Sequence, residues 1–91
     1  NYEGVAIIEN STISENQAIE GGGIFQENLS YGFLYNTTVS TNNASGQNAG
    51  GIGLFNSSAG SVMLSNSIIA GNQNANSPDC FNNLFTRFRF N

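Results

Sequence analysis

One motif returns three times along this chain at nearly constant spacing, and that return limits the possible folds more than any other feature. Asn10-Ser11-Thr12-Ile13-Ser14-Glu15-Asn16 is answered by Asn36-Thr37-Thr38-Val39-Ser40-Thr41-Asn42 and by Asn66-Ser67-Ile68-Ile69-Ala70-Gly71-Asn72, at offsets of 26 and 30 residues. An apolar segment precedes each copy: Val5-Ala6-Ile7-Ile8, Gly32-Phe33-Leu34-Tyr35 and Val62-Met63-Leu64-Ser65. A glycine corner follows the first two, as Gly21-Gly22-Gly23-Ile24-Phe25 and Gly50-Gly51-Ile52-Gly53-Leu54-Phe55. Three short extended segments per period form the pattern of a solenoid, in which each repeat buries its apolar side only against its neighbours. The expected fold is therefore all-β: a right-handed parallel β-helix, or β-solenoid, of about three rungs of 26–30 residues. The rungs span residues 1–83, and a Phe/Arg strand follows over 84–91.

Helix competes poorly in segments dense in Gly, Asn, Ser, Thr and β-branched Ile and Val, which favour turns and strands. The apolar residues alternate with polar ones, which places Ile8, Ile13, Ile24, Leu34, Val39, Ile52, Leu64 and Ile69 in a common lumen. Asn tolerates left-handed backbone angles and bonds readily to nearby backbone, so the recurring asparagines are read as bends. Equivalent positions on stacked parallel strands lie about 4.8 Å apart, which predicts two inward amide ladders. One comprises Asn10, Asn36 and Asn66, the other Asn16, Asn42 and Asn72. The rung corners Gly22, Gly23, Gly50 and Gly51 imply special backbone angles or close approach between turns.

Charge and residue usage then exclude whole classes of chemistry. Six acidic residues face only Arg87 and Arg89, and the net charge of -4 argues against a phosphate-binding surface and so against nucleic acid. With no histidine and a single cysteine, neither a Ser-His-Asp set nor a His/Cys metal cage can be assembled. Cys80 has no base beside it and reads as a small buried apolar residue. Glu15 and Glu20 flank a turn, with Glu3 and Glu9 nearby, but the later repeats place Thr41 and Gly71 where Glu15 stands. Solvated carboxylates are the expectation there, with no catalytic residue, metal site or cofactor. No apolar run approaches the ~18 residues that span a bilayer, so no membrane insertion is expected of this segment. Opening at Asn1 with no charged-then-apolar leader, the sequence reads as an excised or processed piece.

Asn16-Gln17-Ala18 followed by Gly21-Gly22-Gly23-Ile24, and Asn43-Ala44 followed by Gly50-Gly51-Ile52, resemble the Asn-x-Ala and Gly-Gly-x-Ile repeats of the chlamydial polymorphic outer membrane protein family. The likeness covers about residues 5 to 80. Two departures stand out: Ile13 and Val39 replace the family's Phe three residues before Asn, and Asn76-Ser77-Pro78-Asp79-Cys80-Phe81 replaces the third Gly-Gly-Ile corner. The resemblance implies an extracellular or cell-surface module, structural or adhesive and without catalytic activity. The alternative is a carbohydrate-active β-helix, a polysaccharide lyase or glycosidase, whose catalytic residues lie outside this segment. Expected partners are protein, as further rungs or copies of the chain, and carbohydrate. Thr12, Thr37, Thr38 and Thr41 would suit an ice or crystalline polysaccharide face, but the third repeat interrupts that array.

Sequons begin at Asn10, Asn28, Asn36, Asn43 and Asn56. Inward ladders at Asn10 and Asn36 would leave Asn28, Asn43 and Asn56 as the candidate glycosylation positions. At the far end Leu84, Thr86, Phe88 and Phe90 alternate with Phe85, Arg87 and Arg89. Phe85, Arg87, Phe88, Arg89 and Phe90 thus form a candidate interface, covering the last rung or adding a strand to a second copy, whose Glu3, Glu9 or Glu15 would face the arginines.

Overall fold

Wherever apolar and polar residues alternate in the repeats, the chain forms a short strand. The structure, a computed structural model, describes all residues except 2, 28–29, 47–48, 56–60, 83–86 and 91, and describes residues 55, 82 and 87–90 by their backbone. The first repeat carries β1 (Val5–Glu9), β2 (Thr12–Ser14), β3 (Gln17–Ala18) and β4 (Ile24–Glu27). The second carries β5 (Tyr31–Tyr35), β6 (Thr38–Ser40), β7 (Asn43–Ala44) and β8 (Ile52–Phe55). The third carries β9 (Ser61–Ser65), β10 (Ile68–Ala70) and β11 (Cys80–Asn82), and β12 (Arg87–Phe90) follows. No helix occurs among the described residues.

These strands form small stacked sheets in the orders β1-β5-β9-β12, β2-β6-β10, β4-β8-β11 and β3-β7. Every pairing among the described residues is parallel. Successive strands in the chain therefore belong to different sheets, and each repeat visits the sheets in the same order. The third repeat touches the β3-β7 sheet through a single bridge, Asn43 to Gln73. Register follows the sequence repeat: Ile8, Leu34 and Leu64 align, as do Ile13, Val39 and Ile69, and Ile24, Ile52 and Cys80. Cys80, in the irregular third corner, thus continues the column begun by Ile24 and Ile52.

The core is the set of side chains that these columns point inward. Leu34, Val39, Ile52, Leu54, Val62 and Leu64 are buried together, and Ile8, Ile13, Ile24 and Ile69 pack against them half-buried. Leu54 and Val62 are core positions beyond those expected from the repeat. Position matters more than residue type here: Ile8, Ile13 and Ile24 belong to the first layer, whose strands β1, β2 and β4 pair with another strand on one side only among the described residues. Gln26 is buried in the column of Leu54, its amide donating to the Ser61 carbonyl at 3.3 Å and accepting from Asn1 Nδ2 at 3.3 Å.

Two expectations about the bends are corrected. Asn10, Asn36 and Asn66 are exposed, so their row runs along the outside and not in the lumen. They are bends, with φ of 51°, 51° and 48°, and Asn36 Nδ2 donates to Asn10 Oδ1 at 3.2 Å. At the next bend the left-handed residues are Glu15, Thr41 and Gly71, with φ of 60°, 55° and 71°, each one residue before the asparagine expected to turn the chain. Asn16, Asn42 and Asn72 are thereby released to aim their amides along the stack.

The corner glycines answer to space and not to unusual dihedrals. A Cβ on Gly22 would lie 2.5 Å from the Gly50 carbonyl oxygen, and one on Gly23 would lie 2.8 Å from that of Gly51. Backbone of the adjacent repeat passes too close for a side chain.

β12 extends the first sheet within its own chain, with Phe88 opposite Val62 and Phe90 opposite Leu64. β12 therefore lies beside β9 of the third repeat, and Arg87 and Arg89 take the alternate register positions of Ser61 and Met63.

Candidate functional site

The most organised polar feature is a continuous amide ladder. Asn16 donates from its backbone N–H at 3.1 Å and from Nδ2 at 2.9 Å to Asn42 Oδ1. Asn42 repeats this toward Asn72 Oδ1, both at 3.0 Å, and Asn72 repeats it toward Asp79 Oδ1, at 3.1 and 3.0 Å. Each buried amide also reaches back one layer, Asn42 Nδ2 to the Ile13 carbonyl and Asn72 Nδ2 to the Val39 carbonyl, both at 3.0 Å. Asn42 is wholly buried, and Asn72 is 5% exposed. Among the described residues no buried side-chain nitrogen or oxygen lacks a partner. The ladder thus satisfies its own polarity inside an otherwise apolar stack, which makes it inexpensive to bury.

Asp79 was not foreseen as its terminus. It occupies the register position of Gly51, directly before the Ile52 and Cys80 column. At Gly51 a Cβ would collide with the Asn72 amide, 2.8 Å away, and at Gly23 with the Asn42 amide, 3.0 Å away. Beyond Asn72 no further asparagine continues the ladder among the described residues. A side chain fits there, and the carboxylate of Asp79 supplies the acceptor that the next asparagine would have supplied.

A second row also escaped the sequence reading, although its signal was present: the residue after each bend asparagine is Ser11, Thr37 or Ser67. Each hydroxyl donates to the carbonyl two residues back, on Glu9, Tyr35 and Ser65, at 2.7, 3.1 and 2.9 Å. Thr37 and Ser67 reach the preceding layer as well, at the carbonyls of Ile8 and Leu34, 3.4 and 3.3 Å away.

Beside the ladder, its first member Asn16 joins Glu15, Gln17, Thr41, Asn43, Gly71 and Gln73 in lining an open polar depression of about 290 Å³ that crosses all three layers. Glu3, Glu9 and Glu20 are exposed, and among the described residues no three acidic or cysteine side chains gather within reach of one ion. The outer side of the four-stranded sheet carries Val5 and Ile7, 65% and 63% exposed, beside the aromatic rings of Tyr31 and Phe33. Burial, followed by the neighbouring Asp79 carboxylate, pushes the Cys80 thiol up to about 11, so it stays protonated and a poor nucleophile at neutral pH. Of the candidate glycosylation positions, Asn43 is exposed, and Asn28 and Asn56 lie outside the described residues. Asn10 and Asn36, set aside on the premise that they face inward, are exposed. Phe85 lies outside the described residues, and Arg87, Phe88, Arg89 and Phe90 are placed by backbone register in β12. No helix among the described residues is long and apolar enough to cross a membrane.

Comparison with protein-family models, with curated proteins and with solved structures finds no match for this chain.

Proposed function

We propose that this chain is a segment of right-handed parallel β-helix that acts as a non-catalytic structural or adhesive module at a cell surface or outside the cell. The observation that carries the reading is the common register of the sequence repeats with the parallel strands, repeat after repeat, around one apolar core. In a solenoid of this kind the buried polar groups bond rung to rung, and the outward side chains are the ones left for recognition. Its partners are further rungs or other protein surfaces, together with carbohydrate. The likeness of the Asn-x-Ala and Gly-Gly-x-Ile segments to the polymorphic outer membrane proteins supports the surface location. A second reading, a carbohydrate-active β-helix completed by residues outside this segment, is favoured by the Glu15 depression, whose amides and hydroxyl suit a sugar. The two separate on turnover. Incubated with a panel of acidic and neutral polysaccharides, a longer protein that carries this segment with its flanking chain is expected to release neither reducing ends nor unsaturated products. Release that disappears in Glu15→Gln would replace the structural reading with the enzymatic one.

A further inference from the structure

We infer that the end of the stack formed by β1, β2 and β4 is a docking surface for one further parallel β-rung that carries an asparagine at the ladder position. The inference rests on the solenoid reading and adds to it a direction and a chemical requirement on the partner.

Direction comes from the polarity of the ladder. Amides donate from Asn16 toward Asn42, Asn72 and Asp79, so each Oδ1 is filled by the layer before it. Asn16 Oδ1 has no such layer, and among the described residues no donor reaches it. Its Nδ2 also behaves differently from the other two. Where Asn42 and Asn72 bond the carbonyl of the preceding layer, Asn16 Nδ2 turns to Ser14 in its own layer, at 3.1 Å. The hydroxyl row shows the same shortfall: Thr37 and Ser67 reach back one layer, and among the described residues the Ser11 hydroxyl bonds only to Glu9 of its own. Two independent rows therefore have first members built like middle members but satisfied locally.

The opposite end is different in kind. Asp79 accepts from Asn72, and its side chain carries no amide N–H to pass to another layer. A second copy presenting that end would bring no donor to Asn16 Oδ1. The occupant is therefore a rung with a free amide, not the far end of this same chain.

The backbone of Asn1 marks where such a rung enters. Its amino group donates to the Phe25 carbonyl at 2.6 Å, and its carbonyl accepts from the Glu27 N–H at 2.8 Å, which places Asn1 opposite Gln26 in a parallel ladder. Gln26 is opposite Leu54 on its other side, so Asn1 stands where a residue equivalent to Leu54 would stand in a preceding rung.

That register specifies the test. The full chain is extended by a copy of its own residues 31–53 fused directly ahead of Asn1, and amide hydrogen exchange is compared with the unextended chain. Asn10 N–H bonds toward β5 and Thr38 N–H toward Ser11, so by the alternation of parallel ladders the amides of Ile7, Glu9 and Thr12 face the open edge. Those three are expected to slow at least tenfold in the extended chain. Much of that gain should be lost when the added copy carries Leu at the position of Asn42. Equal protection with Asn and Leu would overturn the amide requirement. Unchanged exchange at Ile7, Glu9 and Thr12, with β5 and β6 still protected, would overturn the docking surface and leave the solenoid standing; loss of protection throughout β5 and β6 would instead count against the solenoid. Self-association of the unextended chain that protects the same three amides would overturn the choice of occupant.

Discussion

Ile52→Asp is expected to leave the chain unfolded at neutral pH. Ile52 has no solvent exposure, sits between Ile24 and Cys80 in its column, and packs in the cluster of Leu34, Val39, Leu54, Val62 and Leu64. A carboxylate there finds no spare donor among the described residues, whose buried polar side-chain atoms already have partners. Burying an unpaired charge costs several kcal/mol, comparable with the ~5 to 10 kcal/mol that holds a small domain together. Ile52→Ala provides the graded counterpart: it opens a cavity costing about 2 to 5 kcal/mol and keeps the strands. Far-UV circular dichroism with urea unfolding separates the two. A cooperative transition in Ile52→Asp would show that this column does not point inward.

The second large effect belongs to the ladder. In Asn42→Leu the Asn16 N–H loses its partner, and the Ile13 carbonyl and Asn72 Oδ1 each lose one of two donors. Leaving a buried polar group unpaired costs about 1 to 3 kcal/mol, and a loss in that range is expected. Its neighbour Asn43 is exposed on the rim of the depression, and Asn43→Leu should change stability by less than about 0.5 kcal/mol. The difference in urea midpoints between the two variants measures the ladder against its own flank. Equal midpoints would contradict the burial of Asn42.

Much of this arrangement is legible before any coordinates because the period is long and the side chains obey it. Ile13 stands between Thr12 and Ser14 and Val39 between Thr38 and Ser40, and only an extended chain puts such apolar residues on one side and their polar neighbours on the other. What the repeat does not reveal is which of two asparagines faces inward. Asn10 and Asn16 are the same residue in similar company, and their roles divide by backbone angle. Asn10 itself adopts the left-handed conformation and turns outward, whereas Glu15 takes that conformation on behalf of Asn16. Glutamate and threonine are uncommon there, at a cost of roughly 1 kcal/mol, so residue preference pointed to the asparagine instead. Asp79 was hidden for another reason. It stands in a segment that breaks the repeat, and its role emerges only once its register with Gly51 shows a vacant ladder position beside it. The terminal strand lay between these cases: its alternation was plain, whereas its pairing with β9 depends on the path of the intervening chain.

The central claim, that the repeats lie on one another as parallel layers in a fixed register, is tested most directly by cross-linking. Ser14 and Ser40 are opposite each other in β2 and β6, on either side of strands whose middle residues, Ile13 and Val39, face the core. Facing Cα atoms in neighbouring strands are about 4.8 Å apart, inside the range that a disulfide bridges. Thr12 and Ser40 share that outer side but are displaced by two residues, which adds about 6.6 Å along the strand and puts them beyond reach. With Cys80 replaced by Ala, the pair Ser14→Cys and Ser40→Cys is predicted to close an intramolecular disulfide under mild oxidation. The pair Thr12→Cys and Ser40→Cys is predicted to remain as free thiols. A displaced pair that closes as readily, or an in-register pair that stays open, would contradict the layered register from which the core, the ladder and the docking end all follow.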